Sequence, residues 1–252
     1  MARIFDLLIL AGTALLSASL FASGLHRRYR VFFFYLIFAT LQAGVAASLK
    51  PAGHAYQKFF VLTEPLEWLF YVLVVLEIYA LVLQDYRGLS TVGRWTLISA
   101  VLVSFLASGI SLTAPSRFSQ SIVMTYEYEA ERAVYFSLVV FLLSILGFLA
   151  QYPIALSRNI IVHSMVFSVY FLGNTVLYLL LSMRGAGPVV RYALPVITLA
   201  AVGTWLVMLN PAGELRKVRL RPQWMPGREE ALVSQLNNHN AALWRATGNR
   251  PK

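Results

Sequence analysis

FFVLTEPLEWLFYVLVVLEIYALVLQ, residues 59–84, is an almost continuously apolar run that contains no basic residue. An α-helix needs about 20 mostly apolar residues to cross the hydrocarbon core of a bilayer. This stretch exceeds that length and therefore predicts a membrane-spanning helix. Its few polar side chains, above all three glutamates, become the first candidates for a site because ionisable groups are costly at membrane depth.

The same pattern recurs along most of the 252-residue chain, of which 58% is hydrophobic and only 13% charged. Soluble domains carry about 25% charged residues. Backbone groups in lipid must satisfy one another, which favours helices. We therefore predict an all-α membrane protein in which residues 1–210 form a seven-transmembrane-helix bundle. The six further spans are 4–24, 31–49, 95–113, 133–152, 159–182 and 191–210.

Basic residues in the connections predict the orientation of the bundle, because cytoplasmic loops are enriched in Lys and Arg. The denser side has ten: Arg27, Arg28, Arg30, Arg87, Arg94, Arg158, Arg216, Lys217, Arg219 and Arg221. The other has seven: Arg3, Lys50, Lys58, Arg117, Arg132, Arg184 and Arg191. The N-terminus is therefore expected outside, the C-terminus in the cytoplasm, and the protein in a plasma or inner membrane. We expect the first span to be a membrane helix, not a cleaved signal, since a basic cluster follows it directly.

Residues 211–252 differ in kind and form the second predicted unit, a basic cytoplasmic tail with an amphipathic helix over 228–245. Its basic residues are expected to contact anionic lipid headgroups, at about 1 kcal/mol per charge. The alternative is ordinary positive-inside bias, without a specific lipid contact. The residues concerned are Arg216, Lys217, Arg219 and Arg221.

A first candidate site lies at the outer ends of the spans. Glu64, Glu67 and Tyr71 share one helical face at about 100° per residue. Carboxylates beside aromatic rings can hold a cationic ligand, or they can pair with arginines as internal ion pairs. Both interpretations stay open. The other residues assigned to this ligand-binding hypothesis are Tyr126, Tyr128, Glu131, Arg132, Asn174 and Arg191.

A second candidate is a proton relay between Glu77 and His163, which both fall in the cytoplasmic halves of their spans. His163 begins a polar stripe of the 159–182 span that continues through Phe167, Tyr170, Asn174 and Tyr178. A Glu–His pair can transfer a proton or sense pH. It can equally be a hydrogen bond that fixes the register of two helices.

Missing residue types exclude several functions. The chain has no cysteine, which removes disulfides, thiol catalysis and iron–sulfur clusters. None of its four lysines lies in a membrane core, which excludes a retinal Schiff base. One histidine well inside a span fits neither bis-histidine haem nor a zinc site. We therefore expect no cofactor, no metal and no nucleic-acid partner, and an enzyme is the function least favoured.

Three functions remain. The favoured one is a receptor-like sensory or ligand-binding module that acts through a separate partner, because a tail of about forty residues is too small for a signalling enzyme domain. The first alternative is a non-catalytic subunit of a larger membrane complex. Whether the chain forms oligomers stays open. The second is a small transporter or proton-coupled carrier, which requires a continuous polar path through Glu67, Asn174, Glu77 and His163.

Overall fold

The computed structural model of the chain describes residues 2–49, 54–84, 95, 98, 99, 102, 122–151, 156–184, 188–218 and 226–246. About 91% of these residues are α-helical, which confirms the predicted all-α class. Eight continuous helices are described: α1 Ala2–Ala22, α2 Arg30–Ser48, α3 His54–Val82, α4 Ile122–Gln151, α5 Arg158–Arg184, α6 Pro188–Met208, α7 Pro211–Leu215 and α8 Pro226–Ala246.

Two short elements join helices at one end of the bundle. A 3₁₀ turn, Leu25–Arg27, connects α1 to α2. Two-residue strands, β1 (Leu156–Ser157) and β2 (Lys217–Val218), pair antiparallel and tie the start of α5 to the chain after α7. Strands this short leave no alternation in the sequence, and neither was predicted.

Among the described residues, four helical segments are long and apolar enough to cross a membrane. A shorter apolar helix, Tyr192–Met208, is also present. The composition is thus compatible with a membrane location. The predicted span 95–113 lies outside the described residues except for four isolated helical positions. The four long segments are Ile4–Ala22, Arg30–Ser48, Lys58–Val82 and Arg158–Leu180.

The helices pack as a closed circuit. Helix α1 contacts α2 and α6, and the pairs α2–α3, α3–α4, α4–α5 and α5–α6 complete it, with α5 also reaching α3. Glycines allow close approach at two crossings: a Cβ on Gly12 would lie 3.1 Å from Val202, and one on Gly173 would lie 2.9 Å from Ile197. Large apolar side chains such as Leu62 and Val207 point outward and are about 80% exposed, which is compatible with a membrane location.

Helix α3 is longer at its start than the sequence suggested. It begins at His54, so Pro65 lies inside the helix and not in its first turn. Proline removes one backbone hydrogen bond from a helix interior and disturbs the preceding turn. Three polar residues of α3, Thr63, Glu64 and Glu67, flank this position.

Candidate functional site

A central cavity of about 240 Å³ lies between α1, α2, α3, α5 and α6. Two carboxylates, Asp6 and Glu67, contribute to its walls, and the described lining residues include no Lys, Arg or His. Asp6, Ala46 and Phe60 mark the end of the cavity where α1 begins, here called the Asp6 end. Trp205 lies at its deep side. The cavity lining is therefore mostly aliphatic and aromatic, and its charged groups are acidic.

Glu67 accepts a hydrogen bond from the hydroxyl of Tyr71, one helical turn further along α3. The Tyr71 hydroxyl is also bonded to Tyr35 of α2 at 3.3 Å and to Tyr170 of α5 at 2.9 Å. Because Tyr71 has one proton and gives it to Glu67, the other two phenols donate to its oxygen. Tyr71 is fully buried. Side chains from three helices thus converge on the Tyr71 hydroxyl, and Tyr35 and Tyr170 also line the cavity.

A second glutamate–tyrosine pair lies on the neighbouring helix α4. The Tyr135 hydroxyl donates to Glu131 at 2.7 Å, and Tyr178 of α5 hydrogen-bonds the same carboxylate. The rings of Tyr135 and Tyr71 are 5.6 Å apart, which joins this pair to the Glu67 network. Both pairs have the spacing of one helical turn, Glu-x-x-x-Tyr, in the sequence.

The predicted outer site is therefore brought together only in part. Glu67, Tyr71 and Glu131 share one network, and Glu64 lies close enough to interact electrostatically with Tyr178. Arg132 is half-buried on α4. The side chains of Tyr126, Tyr128 and Arg191 lie outside the described part of the structure, as do Arg219 and Arg221 entirely. Asn174 donates to the carbonyl oxygen of Tyr170 in its own helix at 2.8 Å.

Tyr35 and Tyr135 were not among the predicted site residues. Tyr35 lies in an apolar stretch of α2 that gives no helical polar stripe, so only the folded structure reveals its contact. Tyr135 had a signal, because Glu131 and Tyr135 repeat the spacing that Glu67 and Tyr71 show on α3.

Below the cavity lies an aromatic floor, defined here as Phe32, His163, Phe167 and Trp205. The His163 ring packs edge-on against Phe32 and Phe167 at 4.3 and 4.9 Å between centroids. It is fully buried, and neither ring nitrogen has a hydrogen-bond partner among the residues that the structure describes. The Trp205 side chain is 3% exposed, and its Nε1–H is likewise unpartnered.

The predicted pairing of Glu77 with His163 is not formed. Glu77 instead accepts hydrogen bonds from the backbone amides of Val31 and Phe32, at 2.9 and 3.0 Å. These are the first-turn donors of α2, which lack partners within their own helix. The residue before the helix, Tyr29, offers no side-chain cap, so a carboxylate from α3 supplies it.

A clasp closes the bundle at the end opposite Asp6, and is defined here as Arg28, Tyr29, Asn159, Asn210 and Glu214. Glu214 pairs with Arg28 at 2.9 Å and accepts a hydrogen bond from the Tyr29 hydroxyl at 2.8 Å. The buried Asn159 donates to the backbone oxygen of Asn210 at 2.8 Å. Asn210 in turn caps α7 by accepting from the Gly213 amide at 2.7 Å.

Tyr29 connects the clasp to the aromatic floor. Its ring lies 5.4 Å from that of His163, while its hydroxyl contacts Glu214. Burial, followed by the negative charge of Glu214 and the hydrogen bond to it, raises the pKa of Tyr29 well above its usual value. The phenol therefore remains protonated and continues to donate to Glu214 throughout the neutral range.

Metal ligation finds no support in the described part of the chain, where no three His, Cys, Asp or Glu side chains form a group able to hold an ion. Comparison of the chain with protein-family models, curated proteins and solved structures finds no match. The cavity, the aromatic floor and the clasp are therefore the features from which we infer a function.

Proposed function

We propose that the protein is a seven-helix membrane protein that binds a small molecule in its central cavity and acts on a separate partner through its tail. Four described segments have the length and apolar character of spans. Helices α4 and α6 and the apolar run 95–113 supply three more. The excess of basic residues favours a cytoplasmic tail and an outward-facing Asp6 end.

The observation that carries the receptor-like proposal is the cavity itself. Ligand sites are concave, mostly apolar and equipped with a few convergent polar groups. Here five helices surround about 240 Å³, and Glu67, Gln42 and Tyr170 supply polar groups on an apolar wall. The cavity could hold about eight water-sized groups, since water occupies about 30 Å³ in the liquid. The occupant is therefore small.

A chain of contacts connects this cavity to the tail. Trp205 lines the cavity and packs 5.7 Å from His163. His163 packs on Tyr29, whose hydroxyl bonds Glu214 of α7. Helix α7 leads directly into the strand that precedes the tail helix α8. A ligand that moves Trp205 would shift these contacts, and differential contact with two arrangements is what a ligand needs to change a conformational equilibrium.

The tail offers the second half of this proposal. Arg216 and Lys217 are exposed beside the clasp, where they would contact anionic headgroups of the cytoplasmic leaflet. Arg28, by contrast, is engaged with Glu214. Among the described side chains of the tail helix α8, Leu236 is deeply buried and most of the others are exposed. We assign the partner contact to α8.

The carrier alternative receives no support from the described hydrogen bonds. Its four residues would have to form a continuous path. Asn174 is satisfied within its own helix and Glu77 by the amides of α2, while His163 has no hydrogen-bond partner. The subunit alternative is compatible with the same outward apolar faces that would otherwise contact lipid. Native mass spectrometry of the extracted protein distinguishes the two possibilities.

A cavity-filling pair of variants tests the proposal. Ala201 lines the cavity and is 7% exposed, whereas its neighbour Ala200 is exposed on the same helix. A cysteine at Leu215, which is 87% exposed, takes an environment-sensitive dye specifically because the chain has no other cysteine. Compounds that raise the melting temperature in nanodiscs should also change the dye emission.

Both responses should be lost in Ala201→Leu and kept in Ala200→Leu. Compounds that stabilise the protein without any dye response would show a binding protein whose tail does not respond. Equal responses in the two leucine variants would place the ligand outside the cavity and contradict the proposal.

A further inference from the structure

We infer that the ligand of the central cavity is a small organic cation, an amine or quaternary ammonium compound. This inference rests on the proposed function and specifies its ligand. The charges on the cavity wall favour a cation. Asp6 and Glu67 both line the cavity, and no described lining residue is cationic.

The contacts of Glu67 also favour a cationic ligand. Its described partners are neutral: the Tyr71 hydroxyl donates to it and the Gln42 amide lies beside it. Carboxylates inside a membrane ordinarily pair with a cation or face a polar cavity. Glu67 does the latter, so a cation that enters the cavity would supply the missing counter-charge.

Aromatic rings surround the same space. Tyr35, Tyr170, Phe60 and Trp205 all line the cavity. Cations bind favourably over aromatic faces, and quaternary ammonium groups are recognised in this way. Anionic ligands are disfavoured by the two carboxylates, and a neutral ligand would leave the rings and carboxylates without their complementary charge.

One of these aromatic side chains is that of Trp205. Its side chain is 97% buried in the cavity wall, being only 3% exposed, and its Nε1–H has no partner among the described residues. This nitrogen is itself inaccessible from the cavity, so Trp205 offers a ligand its ring and not a hydrogen bond. The cationic nitrogen therefore belongs near Glu67, and the Trp205 ring is part of the aromatic wall.

Asp6 has a different role from Glu67. It lies two residues into its apolar segment, whereas Glu67 lies nine residues into its own. At 1.5 Å per residue, Glu67 is about 10 Å deeper. Asp6 is thus placed to attract a cation at the mouth, which raises the association rate, and Glu67 to hold it inside.

Choline and its neutral isostere 3,3-dimethylbutan-1-ol test this assignment, since they share shape and hydroxyl and differ in charge. Binding to the full chain in nanodiscs is followed by tryptophan fluorescence, with Trp205→Phe identifying the reporting residue. We expect choline to bind at least tenfold more tightly than the isostere. Glu67→Gln should weaken choline at least tenfold and leave the isostere unchanged. Asp6→Asn should mainly lower the association rate and its dependence on salt.

Equal affinity for the two compounds, or equal loss of both in Glu67→Gln, would overturn the cation assignment. If the isostere binds and Ala201→Leu abolishes that binding, only the ligand class is wrong and the proposed cavity function stands. If neither compound binds, the cation assignment fails. If, in addition, no screened compound distinguishes Ala201→Leu from Ala200→Leu, the proposed function fails with it.

Discussion

Replacing Glu77 should open the first turn of helix α2, although Glu77 belongs to α3. Its carboxylate accepts from the amides of Val31 and Phe32 at 2.9 and 3.0 Å. These are the donors that an N-cap side chain normally satisfies, and loss of an ordinary cap costs about 0.5–2 kcal/mol. Hydrogen bonds to a charged group are worth about 1.5–3 kcal/mol each.

Glu77 is only half-buried, so water can partly replace it at this end of the helix. We therefore expect Glu77→Ala to lower the free energy of unfolding by about 3 kcal/mol, a value between the single-cap figure and two full charged bonds. Glu77→Gln keeps one acceptor and loses the charge, and should cost about 1 kcal/mol. Leu73→Ala, on the outward face of the same helix, serves as a control and should cost less than about 1 kcal/mol.

Two measurements check this prediction. Unfolding by SDS in mixed micelles, followed by circular dichroism, gives the ranking of the variants. Hydrogen exchange with mass spectrometry should show faster exchange at the start of α2 in Glu77→Ala, with other helices unchanged. Wild-type exchange at Val31 and Phe32 in that variant, with stability within about 0.5 kcal/mol of the wild type, would refute the capping role.

Three further predictions concern the floor, the clasp and the topology. His163→Leu should leave unfolding stability unchanged or raise it by about 1 kcal/mol, because it removes two buried nitrogens that have no partners; a large loss in the same SDS titration would give His163 a polar role that the described contacts lack. Because the folded-state pKa of Tyr29 is raised, folded Tyr29 keeps its proton above pH 10 while unfolded chains lose theirs. Stability from Tyr29 is therefore complete below about pH 10 and declines above it, so Tyr29→Phe should show a shallower alkaline decline of the melting temperature than wild type; identical slopes would contradict this linkage. A single cysteine at Ser48 should react with an impermeant maleimide in intact cells and one at Leu215 only after permeabilisation, and the reverse pattern would invert the proposed orientation.

The helices could be predicted because their signal is local. Each long apolar run predicts a helix without reference to the rest of the chain. The described helices α1, α2, α3 and α5 coincide with predicted spans within a few residues, apart from the early start of α3. The face shared by Glu67 and Tyr71 follows from helical spacing alone, and the structure joins them by a hydrogen bond. Helix α8 covers the predicted tail helix 228–245.

Contacts between helices could not be predicted in the same way. Depth alone suggested that Glu77 would meet His163, because both lie in the same half of the bundle. The sequence contains no measure of rotation between helices, and the unpaired first-turn amides of α2 compete for the Glu77 carboxylate. The sequence contains one indication of this contact, because a helix that starts after Tyr29 lacks a good capping residue. The clasp depends on Asn159 and Glu214, fifty-five positions apart, and no local pattern connects them.

Native mass spectrometry of the protein, extracted gently from its own membrane, tests the central claim that the cavity holds a small molecule. We expect a single chain that retains a small cationic compound in wild type and Ala200→Leu and loses it in Ala201→Leu. A chain that carries no small molecule, and co-purifies with other proteins at fixed stoichiometry in all three forms, would contradict it and favour the subunit of a larger membrane complex.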